Sequence, residues 1–456
     1  MSADTPVKEP WRPIEISLLI GSVLLITLAA FEGLATTTIM PNVVAEFHAD
    51  SWFSIASGAA LAAQLSATVV AGGLSDSREP RRVLGYGVAL FALGLLVSGC
   101  APMIEIFVIG RIIQGVGGGL IIVPLYVFIG SIADPSHRPS FFAAFSLSWV
   151  LPGLVGPAIA GYAVSLVGWR PVFLAVPVLA LIALFPLIGV LRALGAHEHS
   201  PSSLARLLRL AILAGGGVVL LQLSGALGGL PLVAVALLGL ALTGIALPRL
   251  LPKGAFALRP GLPAAIMTRL LAMGAQAGAA AVLPLILQRV HDWEPESAAL
   301  AVTIGTVSWS AGATLQSRIT GSERRLRLPL IGVALLTLGI LPIVALAHPR
   351  AWIWAAMLGW FIAGAGTGLM HSTLSVLSLD LTRPAEHGKV ASWLQVADAS
   401  GAAIELAIMS IIMAAWNSLG TGAGLAYLPA PLIAFLFALV ALGASTRIST
   451  GAAPRA

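Results

Sequence analysis

Leu28-Ala29-Ala30-Phe31-Glu32-Gly33-Leu34 places one carboxylate near the middle of an apolar segment that runs from Ile16 to Val44. A segment of that length and composition reads as a helix crossing a bilayer. An acid at its centre costs about 3 kcal/mol on insertion scales, so it marks a function that needs it. Only one other early segment carries a deeply placed opposite charge, Arg111 in Phe107-Val108-Ile109-Gly110-Arg111-Ile112-Ile113-Gln114-Gly115.

Apolar runs of similar length recur along all 456 residues. Hydrophobic residues make up 58% and charged residues 10%, where a soluble domain carries about 25% charged. Mean hydropathy is +0.97. The runs lack the two-residue alternation of a membrane barrel, so the expected class is an all-α polytopic membrane protein. Expected spans are 16–44, 53–74, 83–99, 104–129, 141–167 and 172–191, then 207–223 and 230–247, then 264–287, 298–315, 328–347, 352–379, 390–416 and 425–444. This six-two-six plan totals about fourteen. It divides the chain into a tail (1–15), a six-helix bundle (16–193), a linker with two extra helices (194–261), a second six-helix bundle (262–446) and a tail (447–456). The first run has no small-residue cleavage site at its end and is expected to be retained.

With the N-terminus inside, the only basic residues on outside loops are Arg170, Arg289 and Arg350, and only Arg111 and Arg269 lie within spans. That bias puts both termini in the cytoplasm. The net charge of +6 is then a matter of orientation, and no nucleic-acid partner is expected.

Gly72-Gly73-Leu74-Ser75-Asp76-Ser77-Arg78-Glu79-Pro80-Arg81-Arg82 joins the second and third spans. It resembles the signature loop of the major facilitator superfamily, Gly-x-Leu-Ala-Asp-Arg-x-Gly-Arg-Lys. Gly72, Leu74, Asp76 and Arg81 match, whereas Ser77, Glu79 and Pro80 depart from it. The resemblance implies a major facilitator fold of two six-helix bundles, here with two extra central helices. It also implies that Gly72, Asp76, Arg78, Arg81 and Arg82 form a gating loop that latches the bundles on the cytoplasmic side, with Asp76 capping a helix end and pairing with a base. Plain anchoring of basic loops is the alternative.

Arg111-Ile112-Ile113-Gln114-Gly115-Val116-Gly117 resembles the family's fourth-span motif, Arg-x-x-Gln-Gly-x-Gly. Arg111 and Gln114 share a helix face, and an arginine beside Glu32 would hold that acid ionised until a proton or substrate changed the pairing. A fixed structural ion pair is the alternative. In the fifth span, Gly153, Gly156, Pro157 and Gly161 resemble the Gly-Pro motif of the family's antiporters, and the stripe is expected to bend the helix and pack closely. On physics alone, close packing is all such a stripe means. The separation of Glu32 from Pro41 is that of acid and proline in the Asp-x-Thr-Ile-Val-Asn-x-Ala-Leu-Pro signature of the 14-span drug:proton antiporter branch, with Glu for its Asp.

In the last block Asp398 and Glu405 lie about two turns apart on one helix face, which suggests a proton or cation path. Asp398 is placed closer to the cytoplasm and water, so Glu405 is the stronger candidate. Arg269 is expected to snorkel. Proton coupling is assigned to Glu32, Arg111, Glu405 and Asp398, and the substrate cavity to Gln114, Trp149, Trp309 and His371. No Walker lysine follows the glycine runs, and no Cys/His set has metal-ligand spacing. His197 and His199 form a loop pair more often solvated than metallated. No cofactor, metal or enzymatic activity is therefore expected.

The expectation is a monomeric proton-coupled exporter of amphipathic or lipophilic compounds, a multidrug-type antiporter, in a bacterial plasma (inner) membrane. Its partners are an amphipathic small molecule or lipid substrate, protons and membrane lipids. Three other functions stay open: a lipid or glycolipid exporter of the same fold with a side opening near the extra pair, a proton-coupled uptake symporter, and a non-transporting scaffold or receptor.

Overall fold

The structure is a computed structural model that describes residues 10–49, 52–77, 79–193, 204–224, 227, 229–319, 321–418 and 426–448. Its elements are helices: α1 (Pro13–Glu46), α2 (Phe53–Ser77), α3 (Pro80–Gly99), α4 (Ile104–Ile132), α5 (Arg138–Leu147), α6 (Val150–Val167), α7 (Arg170–Leu184), α8 (Leu187–Ala193), α9 (Leu204–Ser224), α10 (Gly229–Leu250), α11 (Leu262–Val290), α12 (Pro295–Arg318), α13 (Ser322–Leu346), α14 (Ile353–Asp380), α15 (His387–Ser418) and α16 (Pro429–Ser445). In hydrocarbon each backbone N–H must find its partner within the segment, which a helix provides. Among the described residues ten helical stretches are long and apolar enough to cross a membrane, and α7, α9 and α16 hold shorter apolar stretches.

Proline divides two of the expected spans. The run 141–167 breaks at Ser148 and Trp149 between α5 and α6, because Pro152 offers no N–H to Ser148 and its ring crowds that carbonyl. Pro186 acts likewise between α7 and α8, where Phe185 turns back to Ile182 through a 3.1 Å bond. The helix continues through Pro157 to Val167, so the break in this span lies ahead of Pro152.

Helices α1–α8 form one group and α11–α16 another, with α9 and α10 between them. The groups use the same internal pairing. α3 packs tightly on α4, with Gly94 against Gln114 and Gly110 against Ser98. α13 packs on α14, with Gly339 against Gly359, and none of these glycines has room for a Cβ. Small residues let helices close up where no hydrophobic effect between helices is available.

The groups meet at the end where α2 and α14 stop and α5 and α15 begin, here called the terminus end because α1 starts and α16 finishes there. Gly72 faces Ser392 and the Gly388 carbonyl, and Gln316 donates to the Pro139 carbonyl at 3.0 Å. Arg138 pairs with Asp380 at 2.5 Å. Toward the opposite end α2 and α15 part around a cavity of about 430 Å³ lined by Leu61, Leu65, Val218, Leu221, Ala402 and Leu406. Helix α9 contributes Val218 and Leu221 to its wall and packs on both α2 and α15, so the extra pair lies over this seam.

Candidate functional site

The first buried polar set joins α1 to α4. Arg111 Nη1 donates to Glu32 Oε1 at 2.5 Å and to Gln114 Oε1 at 2.6 Å. Thr36, one turn after Glu32, donates to the same carboxylate oxygen at 2.6 Å. The side chains of Arg111 and Glu32 are only 4% and 8% exposed. Their charges compensate one another, and Gln114 and Thr36 satisfy further lone pairs and protons, as a buried ion pair requires. The Arg111 Nε has no partner among the described residues.

A second set joins α11, α14 and α15. Arg269 grips Asp398 with two parallel bonds, from Nε to Oδ1 and from Nη2 to Oδ2, both 2.7 Å. Its Nη1 donates to Ser375 Oγ at 2.6 Å, and Nη2 lies 2.6 Å from His371 Nε2. That ring nitrogen can accept only in the neutral, Nδ1-protonated tautomer. Trp309 of α12 sets its ring edge-on to His371, with centroids 5.3 Å apart. Tyr126 of α4 lies beside the same guanidinium and accepts from Gln395 at 3.4 Å, so this cluster reaches across both helical groups. Arg269 is wholly buried. Its expected snorkelling is corrected: it turns inward because Asp398 offers a bidentate partner in the low-dielectric interior.

Glu405 stands apart. It is wholly buried, and neither carboxylate oxygen has a hydrogen-bond partner among the described residues. Gly278 of α11 faces it so closely that a Cβ would land on the carboxylate.

Other candidate residues are dispersed. Trp149 sits at the α5–α6 break, half exposed. Gly156 faces Phe31 of α1, where a Cβ would lie 3.5 Å from its ring. Among the described residues a Cβ on Gly153 would approach Thr306 at 3.9 Å, and one on Gly161 would meet nothing within 4 Å. No described residue packs closely on those two positions, and the side chain of Pro157 lies outside the described residues.

The expected gating loop is also shorter, because α2 runs on through Ser77 and α3 starts at Pro80. Glu79 pairs with Arg81 at 2.9 Å and Arg82 at 2.8 Å. Both arginines, in the first turn of α3, thus pair with the residue that precedes it. Gly72, in the last turns of α2, meets α15. The Asp76 side chain, Arg78, His197 and His199 lie outside the described residues. Thr36 and the Arg269–Asp398 pairing were missed in the sequence. The four-residue spacing of Thr36 from Glu32 and the presence of a second acid–arginine couple within spans were the available signals.

Comparison with known proteins agrees with this architecture. The family model described as Major Facilitator Superfamily matches residues 22–406. Multidrug transporter protein MdtP of Bacillus subtilis (strain 168) is 27% identical over 156 residues, covering 34% of this chain and 29% of that protein. The chain thus spans less than a third of that relative's length. Multidrug resistance protein B homolog of Mycobacterium tuberculosis is 25% identical over 370 residues, covering 76% of this chain and 67% of that one. The crystal structure of the human organic anion transporter MFSD10 superposes with a TM-score of 0.66 at 14% identity, covering 95% of this chain and 100% of that chain. A multi-pass, all-helical chain matched by one family model over most of its length, with two buried acid–arginine sets in its two helical groups, belongs to the major facilitator superfamily of transporters.

Proposed function

We propose that this chain is a proton-coupled secondary exporter of amphipathic or lipophilic compounds, a multidrug-type antiporter working by alternating access. We read it as a 14-span molecule with both termini in the cytoplasm. The fourteen comprise the ten long spans and the three shorter apolar stretches, with the less apolar α12 as the last. On this topology the terminus end is cytoplasmic and the described state faces outward.

The observation that carries the reading is the buried Glu32–Arg111 pair at 2.5 Å. A charge pair inside a membrane protein marks an ion or substrate pathway more often than a brace. Protonation of Glu32 removes the ionic part of that contact and leaves Arg111 a cation with only neutral acceptors. The state that gives Arg111 better solvation or an anionic partner is then favoured, and a proton taken up from one side shifts the facing equilibrium. Asp398, held by Arg269, and Glu405, which has no hydrogen-bond partner among the described residues, supply acids in the other group for the return step. The named multidrug relatives and the antiporter-like Gly153–Gly161 stretch support export over uptake, a choice the fold alone leaves open.

The test is proton release from weakly buffered, detergent-purified protein on adding lipophilic cations and amphipathic lipids, with Glu32→Gln as comparison. Release by one class that is lost in Glu32→Gln supports the reading. No release with any compound contradicts it. A lipid or glycolipid cargo is the second reading, favoured by the aliphatic cavity between α2, α9 and α15, and release by the lipid class alone would select it.

A further inference from the structure

Residues 199–291, which run from before α9 to the end of α11, contain no Asp or Glu. Helices α9 and α10 are antiparallel, in a register set by Gly217 against Thr243 and by Gly239 against Leu221. Carried to the terminus end, that register brings Arg206 and Arg209 at the start of α9 beside Arg249 and Lys253 at and just beyond the end of α10. These four side chains and Arg259 are exposed, and none of the five has an ion-pair partner among the described residues. At the same end Arg81 and Arg82 pair with Glu79, Arg138 with Asp380, and Arg383 with Glu386, whereas exposed Arg324 and Arg327 at the start of α13, next to Glu323 in the chain, form a second set with no ion pair among the described residues.

Several cations within about one Debye length of each other, roughly 8 to 10 Å, repel unless an anion lies among them. Beside them are the exposed apolar side chains of Leu208, Ile212, Ile245 and Phe256. Ile245 and Arg249 share one face of α10, where the Arg249 guanidinium donates back to the Ile245 carbonyl at 2.6 Å. An anion joined to hydrocarbon matches both surfaces. We propose that the terminus end of the α9–α10 pair binds the headgroup of an anionic phospholipid, with its acyl chains along Leu208, Ile212 and Ile245.

The site adjoins the seam that closes the terminus end. Trp393 of α15 donates from its indole N–H to the Leu250 carbonyl at the end of α10, at 2.5 Å, and the Lys389 ammonium lies 5.0 Å from the Trp393 ring centroid. Ser392, next in the chain, is the residue that faces Gly72 of α2. A bound lipid would therefore brace α10 against the helix that completes the cytoplasmic closure.

The test is the association of spin-labelled phosphatidylglycerol and phosphatidylcholine with the full chain in phosphatidylcholine vesicles. The wild type is expected to hold a saturable phosphatidylglycerol component, and each base near a membrane surface contributes about fivefold in affinity. Arg206→Gln/Arg209→Gln/Lys253→Gln should lose that preference by tenfold or more, while Arg324→Gln/Arg327→Gln keeps it. Arg206→Gln alone, expected to lose about fivefold, serves if the triple variant unfolds. Retention of the preference in both the triple and the single variant overturns the proposal. So does equal loss in the Arg324/Arg327 variant, which marks general charge, or equally effective displacement by inorganic phosphate, which marks an anion site without lipid character. None of these outcomes depends on transport or proton coupling.

Discussion

Arg111 on α4 and Glu32 on α1 form a 2.5 Å ion pair inside the first helical group, with both side chains less than 10% exposed. Removing one partner strands the other charge in a low dielectric, at a cost of about 3 to 5 kcal/mol. Arg111→Leu should therefore lower the thermal unfolding midpoint more than Glu32→Gln/Arg111→Leu does. A double variant no more stable than Arg111→Leu would mean the pair carries no net interaction.

Arg269 and Asp398 make a bidentate contact that a lysine cannot reproduce. Arg269→Lys keeps the charge yet should destabilise the protein by roughly 1 to 3 kcal/mol, through lost hydrogen bonds to charged groups. Thermal unfolding of Arg269→Lys and Arg269→Leu reads this, and a wild-type midpoint in Arg269→Lys would reduce the contact to simple charge pairing.

Gly72 leaves no space for a side chain, because an added Cβ would lie 2.6 Å from the Ser392 Cβ and 3.0 Å from the Gly388 carbonyl. Gly72→Val is expected to push α2 and α15 apart at the terminus end. Spin labels at Ser136→Cys and Arg383→Cys, in a Cys100→Ser background, should report a longer distance in that variant. An unchanged distance distribution would show that the seam yields elsewhere.

Glu46, at the end of α1, accepts from Arg170 and, at 2.6 Å, from the Trp169 indole. The Arg170 hydrogen bond is the main cause that holds the Glu46 carboxyl below its usual value. The sign follows from linkage: stability from this pair is present above the unfolded carboxyl value of about 4.3 and is lost as pH falls through the depressed folded value. The site is partly exposed, so the effect is below about 1 kcal/mol. Unfolding midpoints measured from pH 6 downward should fall less steeply in Glu46→Gln than in the wild type.

Helix class and membrane character were legible from the apolar runs, and the Glu32–Arg111 couple from its cost, since two opposite charges in neighbouring spans are tolerable together and expensive apart. Arg269 was misread because its distance from a span end was counted in residues, while its direction is set by Asp398, which lies 129 positions later. The break between α5 and α6 was not read from the sequence, although Pro152 removes the bond to the Ser148 carbonyl. The packing of α9 over the α2–α15 seam was invisible because its mid-section, including Ala211, Ala214, Val218 and Leu221, is apolar and small in a pattern that fits many neighbours. Cargo is shaped by a cavity that several distant helices wall, and no single motif encodes that shape.

The central claim is that proton movement through Glu32 is coupled to export, and uphill transport in proteoliposomes under an imposed pH gradient tests it most directly. A lipophilic cation that released protons from the purified wild type should accumulate against its gradient only while the pH difference lasts. In Glu32→Gln, uphill accumulation should vanish while downhill exchange of labelled for unlabelled cation continues. Undiminished gradient-driven accumulation in Glu32→Gln would contradict the claim.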